Sequence, residues 1–194
     1  GIHPDAAKIK AVNEALPPKS CSEVRSFLAL TNYCSRYISN YSTITNPLRL
    51  LTNAQAQFIW TYEYARSFEA LKKALSSSQV LTHYSLKDKT RVVVDASPWA
   101  LGAVLPQQQG DCSYRPIAFD SRSLCETEQT CRQIEKETLA IVFGCEHFHM
   151  YLYGRKFEIE TDHRPLEHIF RPKGRSIGKL TPARIERWRL QLQE

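Results

Sequence analysis

Four acidic residues sit where segments of this chain join. Asp95 closes the apolar run in RVVVDASPW (91–99), Glu135 and Glu137 lie in QIEKETLAIV (133–142), and Asp162 ends FEIETD (157–162). Taken alone, Asp95 has two readings: a strand-end cap facing solvent, or a ligand for a metal ion. Three carboxylates drawn close together repel one another unless cations neutralise them, and hard oxygen donors suit Mg²⁺ or Mn²⁺. Two such ions roughly 4 Å apart form an arrangement that hydrolyses phosphodiesters, one activating water and the other steadying the leaving oxygen. On a helical wheel Glu135 and Glu137 flank the same apolar stripe on either side, so spacing does not choose between them.

Other chemistries find less in the sequence. Cys145, His147 and His149 in CEHFH stand two apart, which on a helix points them away from one another. There is no GxSxG nucleophile motif and no glycine-rich phosphate loop. The six cysteines form no CxxC pair, which argues against a structural zinc site.

For the carboxylates to meet, the elements carrying them must be neighbours. Arg91–Asp95 is near-continuously apolar and predicts a strand covered on both faces. Leu101–Gln107 and Tyr114–Phe119 predict two more, joined through a turn at Gly110-Asp111. A long helix is expected from about Thr127 to Leu152, with Ile134, Thr138, Ile141, Val142, Cys145, Phe148 and Leu152 as its stripe and Gly154 as its stop. Lys156–Thr161 alternates as a fourth strand, with Phe157 and Ile159 on one face. If the first and fourth strands are adjacent and the helix packs across them, Asp95, Asp162 and one glutamate converge. The fold class that follows is α/β, a mixed sheet with flanking helices.

Upstream the texture is helical and carries no clustered titratable residues. Ser20-Cys21-Ser22-Glu23 has the form of a capping box, followed by Val24, Phe27, Leu28, Thr31, Cys34 and Ile38 at helical spacing. A loop is expected around Asn46-Pro47. Thr61 is placed to cap a second helix with the stripe Ala65, Phe68, Leu71 and Leu75. This part reads as a scaffold or clamp.

At 194 residues the chain has room for one large or two small domains, and 42% hydrophobic with 24% charged residues is an ordinary globular composition. No apolar run approaches the ~18 residues of a membrane span, and GIHPDAAKIK does not read as a signal peptide. Reduced thiols in an intracellular setting are the simplest expectation. The net charge of +6 favours a nucleic-acid partner over a membrane. The basic excess is concentrated between Arg171 and Arg189, where seven Lys/Arg face one acid, Glu186.

Several phrases together carry a resemblance. VVVDASPWALGAVL, RPIAFDSRSL and QIEKETLAIVFGCEHFHMYLYGRKFEIETDHRPL resemble the ribonuclease H domain of gypsy-type LTR retrotransposon Pol polyproteins. GIHPDAAKIKAV, RSFLALTNYCSRYI, NPLRLL and FIWTYEYARSFEALKKAL are similar to the thumb and connection segment that ties the polymerase to that domain. The resemblance implies a helical segment over residues 1–82 and a ribonuclease H-like domain over 83–194. It implies cleavage of the RNA strand of RNA/DNA hybrids with two Mg²⁺ or Mn²⁺ ions. By motif it assigns Asp95, Glu137 and Asp162 as catalytic metal ligands, and the Glu-x-Leu-Ala-Ile phrase selects Glu137 over Glu135. Lys173, Arg175, Lys179 and Arg184 become expected phosphate contacts, and the polymerase and integrase parts of a polyprotein become expected partners.

The same resemblance marks departures. The polymerase aspartates would precede Gly1, so DNA synthesis by this chain alone is not expected. A fourth metal-site aspartate, in a motif ending Ala-Asp-x-Leu-Ser-Arg, would lie past Glu194. The alternative is therefore a catalytically incomplete remnant that binds nucleic acid or serves structurally.

Overall fold

The computed structural model describes residues 1–53, 56–77 and 80–162, together with Leu166, Ile185, Arg187, Trp188 and Leu192. The basic residues Lys173, Arg175, Lys179 and Arg184, and most of the helix expected over 182–193, lie outside the described residues. Trp188 and Leu192 are described and pack against the sheet's core.

Helices α1 (Ala6–Glu14), α2 (Cys21–Asn32), α3 (Tyr41–Leu50) and α4 (Tyr62–Ser76) form the first part, with a 3-10 turn at Ser35–Tyr37. Most of the stripe positions read from the sequence are buried: Val24, Phe27, Cys34 and Ile38 join Phe68, Leu71 and Leu75 in one core cluster, Thr31 is buried on the same helix, and Leu28 and Ala65 are half-buried. At the start of α2 the Ser20 hydroxyl accepts the Glu23 N–H, but the Glu23 carboxylate reaches one residue further back than a capping box requires, to the Lys19 N–H. Asn46 and Pro47 do not form a loop; both lie inside α3. Pro47 lacks an N–H for the helix ladder, and burial of Tyr41, Thr45 and Leu48 outweighs that loss.

The second part begins with strands β1 (Thr90–Ala96), β2 (Ala100–Gln108) and β3 (Tyr114–Ser123). After α5 (Glu126–Gln129), α6 (Gln133–His147) and α7 (His149–Leu152), strand β4 (Phe157–Glu160) joins a sheet whose order among the described residues is β3-β2-β1-β4. β1 runs antiparallel to β2 and parallel to β4. The hairpin joining β2 and β3 has its left-handed residue at Cys112, with φ 63°, rather than at Gly110.

Two expectations change here. The strand covered on both faces is β2, buried at nearly every position, while β1 alternates. The cause is the helical part, whose α3 lies over β2 and β3 on the side away from α6. The expected single helix is three. Two glutamates each fold back on a separate helix start: Glu128 accepts the Cys125 N–H at 2.9 Å and Glu135 accepts the Arg132 N–H at 2.9 Å. Gly154, at φ +70°, follows α7 in the left-handed conformation expected of a helix stop. On β4, Phe157 packs against the core while Ile159 is exposed.

The core of the second part lies between the sheet and α6. Val92, Val94, Ala103 and Leu105 meet Leu139, Ala140 and Ile141 there. Gly144 lets the helix approach closely, because a Cβ at that position would stand 3.0 Å from methyls of both Val92 and Val94.

Candidate metal centre

The register of β1 against β4 brings two aspartates side by side. Val93 pairs with Glu160, and Asp95 and Asp162 each follow two residues later. The pairing is fastened by Arg91, whose guanidinium reaches Glu158 at 3.0 Å and Glu160 at 2.7 Å and lies over the Tyr114 ring. Glu137 arrives from above. It lies two helical turns before Gly144, on the same face, so the close packing of Gly144 on β1 carries Glu137 to the strand's C-terminal end.

Ligand atoms of Asp95, Glu137 and Asp162 all lie within 4.8 Å of one another. The two aspartates are exposed, whereas Glu137 is only 3% exposed. Its Oε1 accepts from Gln133 Nε2 at 2.6 Å, and the same nitrogen donates to the Ala96 carbonyl at 2.9 Å, tying helix to strand end. Its Oε2 is buried with no hydrogen-bond partner. Burial pushes the Glu137 carboxyl up to about 7, and the Asp162 and Asp95 charges add to that shift, while hydrogen bonds from Gln133 and the Ala96 backbone oppose it. A buried carboxylate with one oxygen unpartnered, facing two more carboxylates, suits a hard divalent cation. The residues present therefore fit such an ion.

Glu135 is not part of this group; it caps α6. The CEHFH residues do not converge either. Cys145 packs into the core and burial pushes its thiol up to about 11. His147 contacts Asp120 at 2.8 Å, and the His149 ring lies against Tyr153. Two supporting residues were not singled out from the sequence. Gln133 precedes Glu137 by four positions, the spacing that brings side chains together on a helix, so its signal was present once the helix start was known. Lys136 is buried and donates to the Pro98 carbonyl at 3.4 Å in the loop after Asp95; only the packing of α6 on that loop shows it.

A mixed sheet with a carboxylate triad at the end of its parallel strand pair defines a class, and comparison with known proteins agrees with it. A family model described as an RNase H-like domain found in reverse transcriptase matches residues 85–194, and the chain belongs to that family. It is 34% identical over 206 residues to the retrovirus-related Pol polyprotein from transposon opus of Drosophila melanogaster, covering 100% of this chain and 20% of that protein. To the corresponding polyprotein from transposon 297 it is 37% identical over 198 residues, covering 17% of it. To the transposon Tf2-3 polyprotein of Schizosaccharomyces pombe it is 33% identical, covering 14%. The chain thus spans about a fifth or less of these curated relatives. Among solved structures it is similar to the foamy viral protease-reverse transcriptase dRH in complex with double-stranded DNA, with a TM-score of 0.74 at 21% identity over 99% of this chain and 34% of that one. The foamy viral protease-reverse transcriptase in complex with RNA/DNA hybrid gives a TM-score of 0.71 at 21% identity, over 98% of this chain and 26% of that one. These likenesses span both parts of the fold, the helices as well as the sheet.

Proposed function

We propose that this chain is the ribonuclease H portion of a retrotransposon reverse transcriptase and hydrolyses the RNA strand of RNA/DNA hybrids. In this reading residues 1–82 are the tether to a polymerase and 83–194 are the nuclease. The observation that carries it is the convergence of Asp95, Glu137 and Asp162, with Glu137 Oε2 buried and unpartnered. Asp95, Glu137 and Asp162 would hold two Mg²⁺ or Mn²⁺ ions, which would supply activation of water and neutralisation of charge on the leaving oxygen.

The chain's own residues hold that centre in shape. Asp95 and Asp162 project from adjacent parallel strand ends, which are stiff supports. Gln133 occupies Oε1 of Glu137 and leaves Oε2 without a hydrogen-bond partner. Ionisation of Glu137 is required for it to serve as a ligand, so its raised pKa couples metal binding to pH near neutrality. Lys173, Arg175, Lys179 and Arg184 are proposed phosphate contacts that position the strands without reading sequence, with preference for RNA arising from 2′-hydroxyls and groove shape. The proposed partners are a hybrid and the remaining segments of a Pol polyprotein, polymerase and integrase, in an intracellular setting. The six cysteines form no disulfide, and among the described residues no helix is long and apolar enough to cross a membrane.

The test is a hybrid with end-labelled RNA, incubated with Mg²⁺ or with chelator, beside free RNA and duplex DNA. RNA fragments should appear only from the hybrid, only with metal, and should disappear in Asp95→Asn. Salt-dependent binding of the hybrid without scission would overturn the hydrolase reading and leave a nucleic-acid-binding module.

A further inference from the structure

The helical part touches β2, β3 and the loop that follows β1, all next to the strand that carries Asp95. The first turn of α3 stands on the β1–β2 hairpin and β3 through three separate contacts. Asn40 precedes α3 in the left-handed conformation, at φ 55°, and its side chain makes no capping hydrogen bond to the helix. Its Oδ1 instead lies over Gly102, where an added Cβ would come within 2.5 Å of it. The Ser42 N–H donates to Ser121 Oγ at 2.9 Å, and the Ser121 hydroxyl also donates to Ser42 Oγ at 3.2 Å. Thr43 Oγ1 and Ser97 Oγ are 3.3 Å apart.

These contacts fall on one rung of the sheet and on the loop beside it. Asp95 pairs with Gly102, and Gly102 pairs with Ser121. Ser97 organises the loop that follows Asp95: its oxygen accepts the Ala100 N–H at 2.9 Å and its hydroxyl donates to the Ala100 carbonyl. The Trp99 N–H reaches the same oxygen at 3.3 Å. A hairpin rung supported at both its glycine and its serine has little freedom to tilt, and Asp95 shares that rung.

We infer that Asn40, Ser42 and Thr43, at the start of α3, are positioning residues that hold Asp95 at the metal centre through Gly102, Ser121 and Ser97. The tether is thus a working part of the nuclease site. The inference rests on the metal-site reading, and the closing experiment separates the two.

That experiment uses the full chain with Mn²⁺ alone as the probe. Asn40→Gly removes the side chain yet keeps the left-handed backbone accessible, and Thr43→Val removes the hydroxyl at nearly constant shape. Free Mn²⁺ is followed by electron paramagnetic resonance, and amide exchange is followed over 95–103. The double variant should bind Mn²⁺ roughly tenfold more weakly, in line with loss of groups that orient metal ligands, and should exchange faster over 95–103. Thr43→Ser should restore the Thr43 share. Gly102→Ala approaches from the sheet side, displaces Asn40 without altering the helix, and should reproduce the Asn40→Gly effect. Unchanged Mn²⁺ affinity and exchange in the double variant and in Gly102→Ala would overturn the inference. If the parent chain binds no Mn²⁺, the metal-site reading falls, and exchange over 95–103 alone decides whether α3 supports the hairpin.

Discussion

The side-chain amide of Gln133 lies 2.6 Å from Oε1 of Glu137, one helical turn away, and through the same nitrogen holds the carbonyl of Ala96. A single amide thus orients the helix carboxylate and locks it to the strand end beside Asp95. It also favours the ionised form of Glu137 against the burial that opposes it. In Gln133→Ala, Glu137 should hold its proton to higher pH. The midpoint of Mn²⁺ affinity against pH should move upward, while the parent's midpoint lies near neutrality.

Glu137 also makes a prediction about stability without metal. Its folded pKa is about 7 against an ordinary 4.5, so the folded state binds the proton more tightly than the unfolded state does. Below 4.5 both states are protonated and the group contributes nothing; as pH rises from 4.5 through 7 the fold loses stability from it, ~3 kcal/mol once the group is ionised in both states. Glu137→Gln should therefore melt roughly 5 °C or more above the parent at pH 8 without divalent ions. At pH 4 the two should melt alike. Thermal denaturation at the two pH values checks this.

Glu135, two residues earlier, separates capping from ligation. Its carboxylate accepts the Arg132 N–H and takes no part in the triad. Glu135→Ala should cost ~1 kcal/mol in denaturant unfolding and leave Mn²⁺ affinity unchanged.

Gln107 tests the sheet's far end. It is fully buried; its Oε1 accepts the Ser85 N–H at 2.8 Å, and its Nε2 donates to the Ser85 carbonyl and to Thr90 Oγ1. Gln107→Leu leaves the Ser85 backbone and Thr90 without those partners and should destabilise the chain by roughly 2–3 kcal/mol. Urea unfolding measures that loss, with Mn²⁺ affinity as the unaffected control.

Much of this was legible in the residues. The apolar stripes of α2 and α4 carry most of their buried positions, because helical periodicity reports burial, whereas α6 is buried without a break from Lys136 to Val142 and its burial exceeds any stripe. The three carboxylates that the phrases single out are the three that meet. What spacing could not give was the choice between Glu135 and Glu137. Both flank the stripe, and only the docking of Gly144 onto Val92 and Val94 decides which carboxylate overhangs the strand ends. The break between α5 and α6 was hidden because its cause is local: Glu128 and Glu135 each cap a separate start. Pro47 reads as a breaker and is overridden by tertiary burial of its helix. The double coverage of β2 depends on α3 crossing from a distant part of the chain, a contact that no window of sequence contains.

The central claim is that Asp95, Glu137 and Asp162 bind divalent cations together. It is tested most directly by crystals of the chain soaked in Mn²⁺ and measured for anomalous scattering. A peak about 2.0–2.6 Å from carboxylate oxygens of Asp95 and Asp162 and from Glu137 Oε2 is expected, and it should vanish in Asp95→Asn. Mn²⁺ density only at other carboxylates, or none at this triad under saturating ion at pH 8, would contradict it.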